Sequence, residues 1–224
     1  MATWKRVAFA YSSIYVKLAS KSKWSLQMIL GIVGSYRKGG TIDQAVSSVL
    51  AAAQTNGAET KKIYLKDLNI GFCNNCRHCT QETGEEPGKC RLEDDMSELI
   101  KEIESADAYV IGTPVNVGNT NALTQRFLER LVCYSYWPWG QAAPKMRKSY
   151  SAKKAVLITS SAMPSLMGRF LTGSIRGLKL GVKMIGAKTV ATIYIGQSAM
   201  HEKQSLRKSI LRKLQNSAKK LYRN

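Results

Sequence analysis

No stretch of about 18 consecutive apolar residues occurs in the 224-residue chain, so none of its helices is expected to span a bilayer. Internal repeats and low-complexity linkers are also missing, and no second domain is expected. Acidic residues are scarce, 15 against 34 lysines and arginines, for a formal net charge of +19. Most of those acids fall between Glu82 and Asp107, which leaves the remainder still more basic. Such a surface attracts nucleic acid, anionic lipid or an acidic protein. Regular interleaving of basic and aromatic residues is lacking, however, and so is any nucleic-acid motif, so no nucleic-acid partner is expected. The C-terminal Lys203, Arg207, Lys208, Arg212, Lys213, Lys219, Lys220 and Arg223 recur as on the wet face of an amphipathic helix.

Residues 1–27 hold Lys5, Arg6, Lys17, Lys21 and Lys23 without a single acid. Their apolar stretch VAFAYSSIYV is broken by serines, which argues for a basic, disordered extension rather than a targeting segment. The folded domain is expected over 28–224. Five cysteines without a convincing export signal suit a reducing, cytoplasmic setting, where clustered thiols bind metal or do redox work more often than they form structural bridges.

From Met28 onward, short β-branched runs alternate with longer helical stretches. Strands are expected at 28–34, 61–66, 108–114 (stopped by Pro114), 154–160 and 189–195. Helices are expected at 41–55, from Asp94 to about 105, at 119–133, near 168–183 and near 202–222. Five strands alternating with five helices imply an α/β fold with a parallel sheet covered on both faces. Ligands of such sheets sit beyond the carboxyl ends of the strands, which directs attention to the loops at 34–41, 114–120 and 159–167.

The first of these loops, GSYRKGGT, sets glycines, Ser35, Arg37 and Thr41 at a helix start, a combination suited to a phosphate. It is neither a P-loop nor a G-x-G-x-x-G turn, which disfavours an NTPase and a dinucleotide fingerprint. In TPVNVGN, Gly118 allows close backbone approach and the turn amides can bond a planar ring. Cys73, Cys76 and Cys79 follow a C-x2-C-x2-C beat, with Cys90 further on, in what reads as an insertion at 73–90. Three thiols on one beat plus a distant fourth fit an iron-sulfur cluster better than the two separated pairs usual for zinc. A zinc site, a redox thiol or disulfide, and an inert loop stay open as alternatives. His78 and His201 are given no role, Cys133 is expected to be buried, and Met163, Met167 and Met184 are expected in packing. The aromatic segment CYSYWPWG could cover a bound ring, line an acceptor pocket, join a subunit interface or serve as a packed connector.

Taken in order, GIVGSYRKGGT, FCNNCRHC, KCRLEDDM, ADAYVIGTPVNVGNTNALTQRFLER and KKAVLITSSA resemble the NADPH-dependent FMN reductase and iron-sulfur flavoprotein group of flavodoxin-like proteins. The resemblance implies a three-layer α/β/α sandwich with a five-stranded parallel sheet in the order 2-1-3-4-5. It implies that Ser35, Arg37 and Thr41 hold an FMN phosphate. Pro114, Val115, Asn116, Val117, Gly118, Asn119, Ser160 and Ser161 then border the flavin ring, and Cys73, Cys76, Cys79 and Cys90 are the candidate ligands of a [4Fe-4S] cluster. The chain departs from the group in lacking an Asn before Thr41 and in carrying Asn116 where an aromatic is common. The expected function is an FMN-dependent oxidoreductase using NAD(P)H and passing electrons to a small-molecule or redox-protein acceptor, as a homodimer or homotetramer. No side-chain nucleophile or general base is required. Two rivals are a non-enzymatic flavodoxin-type electron carrier or redox sensor, and a basic nucleic-acid-binding protein with a cysteine metal site.

Overall fold

A computed structural model describes residues 27–148, 153–202 and 204–222. The expectation of a disordered extension falls on residues outside that range, apart from Gln27, which is buried and donates from Nε2 to the Leu221 carbonyl. Lys203 and Arg223 lie outside it as well.

Five strands form the main sheet: β1 (Met28–Val33), β2 (Glu59–Tyr64), β3 (Ala108–Asn116), β7 (Lys154–Ser160) and β8 (Lys188–Ile195), while the short β5 (Ser135–Tyr136) and β6 (Lys145–Met146) pair with each other. Their order is β2-β1-β3-β7-β8 and every pairing among them is parallel, which is the expected 2-1-3-4-5 arrangement. The central strands are nearly continuous runs of Ile, Val and Leu because helices cover both of their faces. On one face α1 (Thr41–Thr55) and α6 (Lys208–Ala218) bury Val46, Val49 and Leu214 against Ile29, Val110 and Val156. On the other, α2 (Met96–Ser105), α3 (Ala122–Arg130) and α5 (Ser174–Met184) bury Leu99, Phe127 and Leu178 against Leu30, Tyr109 and Leu157.

Several boundaries differ from the sequence expectation. Pro114 does not stop its strand, since β3 runs on to Asn116 with Pro114 opposite Ser160 of β7. The β1 partner has already ended opposite Gly112, and a residue without an N–H is tolerated where only one neighbour runs alongside. Past Asn116 the chain reverses into the short β4 (Asn119–Thr120), a hairpin whose two turn residues, Val117 and Gly118, both have positive φ. The helix expected near 168–183 is two: α4 (Ser165–Leu171) and α5, divided at Gly173, whose N–H is drawn to the Gly118 carbonyl at 2.9 Å. Met163 and Met167 are exposed around this short α4, and Met184 alone of the three methionines packs against the core. The last helix starts at Lys208, because the chain from Gly196 first crosses the sheet's rim. Arg207, Lys208, Arg212, Lys213, Lys219 and Lys220 are exposed, as the amphipathic spacing implies.

Candidate functional site

Three strand ends build a cavity of about 320 Å³ at the carboxyl edge of the sheet, above the point where the strand order reverses between β1 and β3. Ser35, Arg37 and Thr41 line it from the first loop, Pro114, Val115 and Asn116 from the second, and Ser160 and Ser161 from the third. The three turns that the sequence marked separately therefore meet in one place. Val117, Gly118 and Asn119 do not line this cavity. They form the hairpin tip and its return, where Val117 is fully exposed at φ +48° and the Asn119 side chain faces Gly173. A β-branched residue in the left-handed region is a strained exception.

The first loop is organised for an anion. The Arg37 N–H donates to Ser35 Oγ at 3.1 Å, which curls the chain back toward the start of α1. Gly40 precedes that helix without offering a side-chain cap, and the first helical bond runs from Gln44 N to Gly40 O. The amides of Thr41, Ile42 and Asp43 lie ahead of that bond, so they form the donor end of the helix. An acid in this turn would oppose a bound anion, but Asp43 points toward β2. Its carboxylate accepts from Gly39 N, Lys62 Nζ and Tyr64 Oη at 2.6, 3.0 and 3.0 Å. Burial works against its charge, yet these bonds and the Lys62 charge hold the carboxyl below the usual carboxylate range.

A fourth segment also closes the cavity, and no local signal in the sequence marked it. Ser198, Ala199, His201, Glu202 and Gln204 all line the space. The Arg37 guanidinium donates to the Glu202 carbonyl at 2.8 Å, and Gln44 Nε2 to the Gln204 carbonyl at 3.0 Å. Arg37 thus spends one donor on holding this segment over the loop. His201, given no role from the sequence, stands in the cavity wall.

The cysteines occupy a second region, between β2 and α2. Cys73, Cys76, Cys79 and Cys90 all open into one cavity of about 230 Å³, and Cys133 joins them in its wall. All five are free thiols. Among the described residues no three His, Cys, Asp or Glu side chains are grouped as a single metal ion needs, which would set each sulfur about 2.3 Å from zinc. The thiols line a shared chamber, with Cys79 buried, Cys73 and Cys90 half-buried and Cys76 exposed. Burial, then the neighbouring Cys90, Cys73 and Cys76, push the Cys79 thiol up to about 11. Burial pushes Cys133 up to about 12, as expected of an inert core thiol.

The protein holds this chamber by its own bonds. Arg147 donates to the carbonyls of Cys133, Gly84 and Cys79, at 3.0, 3.2 and 3.1 Å. The aromatic segment packs here, away from the rim cavity: the Arg77 guanidinium lies over the rings of Trp137 and Trp139, 3.8 and 4.4 Å from their centroids. Beneath the chamber, Arg130 and Asp94 form a buried two-pronged ion pair at 2.5 and 3.1 Å. Neither residue was singled out as a pair from the sequence, where 36 positions separate them. Lys89 and Arg91, beside Cys90, are exposed, and so is His78.

A family model described as NADPH-dependent FMN reductase matches residues 28–191. An iron-sulfur flavoprotein of Archaeoglobus fulgidus is 30% identical over 109 residues, which are 49% of this chain and 47% of that protein. One of Methanocaldococcus jannaschii is 33% identical over 102 residues, 46% of this chain and 50% of that protein. The chain spans about half the length of the curated relatives it matches. Among solved structures, an NAD(P)H:quinone oxidoreductase from Methanothermobacter marburgensis is similar at TM-score 0.65 and 18% identity, over 88% of this chain and 100% of that one. An FMN-dependent NADH-azoreductase from Bacillus anthracis, in complex with FMN, is similar at TM-score 0.63 and 14% identity, over 87% and 98%. At these identities the structural likeness is one of fold.

Proposed function

The chain belongs to the NADPH-dependent FMN reductase family, and from that premise we propose that it is an FMN-dependent oxidoreductase that draws on NAD(P)H and passes electrons to a small-molecule or redox-protein acceptor. The observation that carries this reading is the convergence of three strand-end loops on one cavity at the switch point of the sheet. Its volume is within the range of small-ligand sites, about 300–1,000 Å³. The donor set suits the cofactor: Ser35, Thr41 and the first amides of α1 face the cavity as a phosphate cradle, with the helix dipole favouring negative charge. Pro114, Val115, Asn116, Ser160 and Ser161 then border the ring, and the segment through His201 and Glu202 forms the wall at the phosphate end. Val117, Gly118 and Asn119 act from the hairpin behind this wall. When bound, FMN accepts hydride from a nicotinamide and releases electrons singly or in pairs. The chain's part is to hold it and set its surroundings.

The four thiols support a second prosthetic group of iron-sulfur type, as in the name of the curated relatives. Cys73, Cys76, Cys79 and Cys90 would hold it. A cytoplasmic setting and a homodimer or homotetramer accompany this reading. No helix of the described residues is long and apolar enough to cross a membrane.

Anaerobic purification followed by FMN titration, an absorbance spectrum, iron and sulfide analysis and NAD(P)H oxidation tests the reading. Yellow protein that oxidises NAD(P)H with a quinone or flavin acceptor is the expected result. Protein that takes up no FMN overturns it. Protein that binds FMN but is reduced only by another protein is a carrier, not a reductase.

A further inference from the structure

We propose that Arg130, paired with Asp94, is a positioning residue for the cysteine chamber that sets the charge felt by whatever the four thiols hold. The inference rests on the iron-sulfur reading above. Its starting point is an expense: the Arg130 side chain is 2% exposed and that of Asp94 7%. Removing two charges from water is costly, and apolar residues of similar volume often stabilise a fold at least as well. A pair kept in such a place therefore calls for a reason beyond stability.

The pair is also oriented. Arg130 lines the thiol chamber, whereas Asp94 lines only the neighbouring cavity of about 460 Å³ that reaches Cys90 from the other side. Cys90 and Arg130 stand in the wall common to both cavities. Asp94 is turned away and satisfied by donors of its own, Gly71 N at 2.8 Å and Met96 N at 3.1 Å, besides the two prongs from Arg130. The positive end of the pair thus faces the thiols and the negative end faces protein.

The helix that bears Arg130 fixes its place. At the start of α3, Asn121 Nδ2 donates to the Gly34 carbonyl at 2.7 Å, and at its end Arg130 Nη1 donates to the Gly71 carbonyl at 3.0 Å. Nine helical residues, about 13 Å of rise, separate the rim cavity's loop from the thiol chamber. Arg130 is therefore held at one end of a short helix whose other end is tied to the rim loop.

A cation held against one thiolate ligand favours the more negative, reduced state of the group it binds, and outer-shell partners of this kind commonly govern retention as well. The test compares wild type, R130M, R130K and D94N, purified anaerobically, by iron and sulfide content, by iron loss to a chelator, and by reduction potential from spectroelectrochemical titration. In R130M, iron is expected to be lost about tenfold faster or more, and the potential of what remains shifts to more negative values. D94N frees the guanidinium from its counter-charge, so its potential shifts the opposite way. R130K retains charge without the fork and falls between R130M and wild type. A merely structural role would destabilise both R130M and D94N and move their potentials together or not at all, and that result overturns the proposal. If R130M does not fold, D94N and R130K still decide the sign. Wild-type protein that takes up no iron while binding FMN overturns the cluster reading itself; iron-loaded wild type with unmoved potentials in the variants overturns only the role of Arg130.

Discussion

The Asn121 side chain joins the start of α3 to Gly34 at the end of β1: its Nδ2 donates to the Gly34 carbonyl while its Oδ1 accepts from Thr124 N at 2.9 Å. One fully buried amide therefore serves as helix cap and as anchor of the loop proposed to hold the phosphate. Asn121→Ala is expected to cost about 2 kcal/mol, from a lost cap and a weakened tie on a buried carbonyl. Asn121→Asp should be worse despite capping equally well, since it sets a carboxylate against that carbonyl. Chemical denaturation with FMN titration checks both, and an Asp variant as stable as wild type would dismiss the tie.

The phosphate loop itself gives a second expectation. Thr41→Ala and Ser35→Ala remove hydroxyls that face the rim cavity, and Ser35→Ala also removes the acceptor of the Arg37 N–H. Each is expected to weaken FMN binding about tenfold, in line with a hydrogen bond to a charged group. Iron content should be unchanged, because the thiol chamber lies at the far end of α3. Flavin fluorescence titration beside iron analysis separates the two sites.

Gly88 offers the converse experiment. A Cβ on it would lie 1.8 Å from the Cys79 carbonyl oxygen, a backbone atom with nowhere to move. Gly88→Ala should force the cysteine segment open, at about 1–3 kcal/mol, and abolish iron uptake while FMN affinity stays as in wild type. Equal loss at both sites would mean that the two cavities do not fold independently.

Arg77 bonds the carbonyls of Trp137 and Pro138 while covering two indole rings. Arg77→Lys keeps a cation but loses the planar fork and the stacking. It is expected to lower stability by about 1–2 kcal/mol and to change the intrinsic tryptophan emission. An unchanged spectrum and melting temperature would show that the aromatic segment is held by other contacts.

The strands and the three turns were legible in the sequence because each rests on local signals: buried β-branched runs, glycines, a helix start; the order of the sheet came only from the resemblance to a family. What escaped has no local signature. The segment carrying Glu202 reaches Arg37 from 165 positions away, and its residues read simply as the start of an exposed basic helix. Arg130 was not singled out at all, and Asp94 stood only at the expected start of a helix. Asp94 does bond Met96 N in that role, but its larger partner comes from a different helix. Pro114 misled for a related reason: its effect on a strand depends on whether a neighbour still runs beside it, which composition alone cannot tell.

Asp43 is one source of acid sensitivity, beside Asp94 and Glu104, whose carboxyls are also held low. Its folded pKa lies below the ordinary carboxylate value, so the bonds to Gly39, Lys62 and Tyr64 stabilise the protein fully above about pH 4. That contribution is lost as the pH falls through the depressed folded value, when the carboxylate takes up a proton. Asp43→Asn should lower stability near neutrality and flatten the acid limb of the stability curve. Urea midpoints measured from pH 7 down to pH 2.5 read this directly, and parallel curves for the two proteins would exclude Asp43 as a source.

Arg147 joins three separate segments of the chain around the thiol chamber, through the carbonyls of Cys133, Gly84 and Cys79. A single substitution there would slacken all three segments at once, so the walls of the chamber share one keystone.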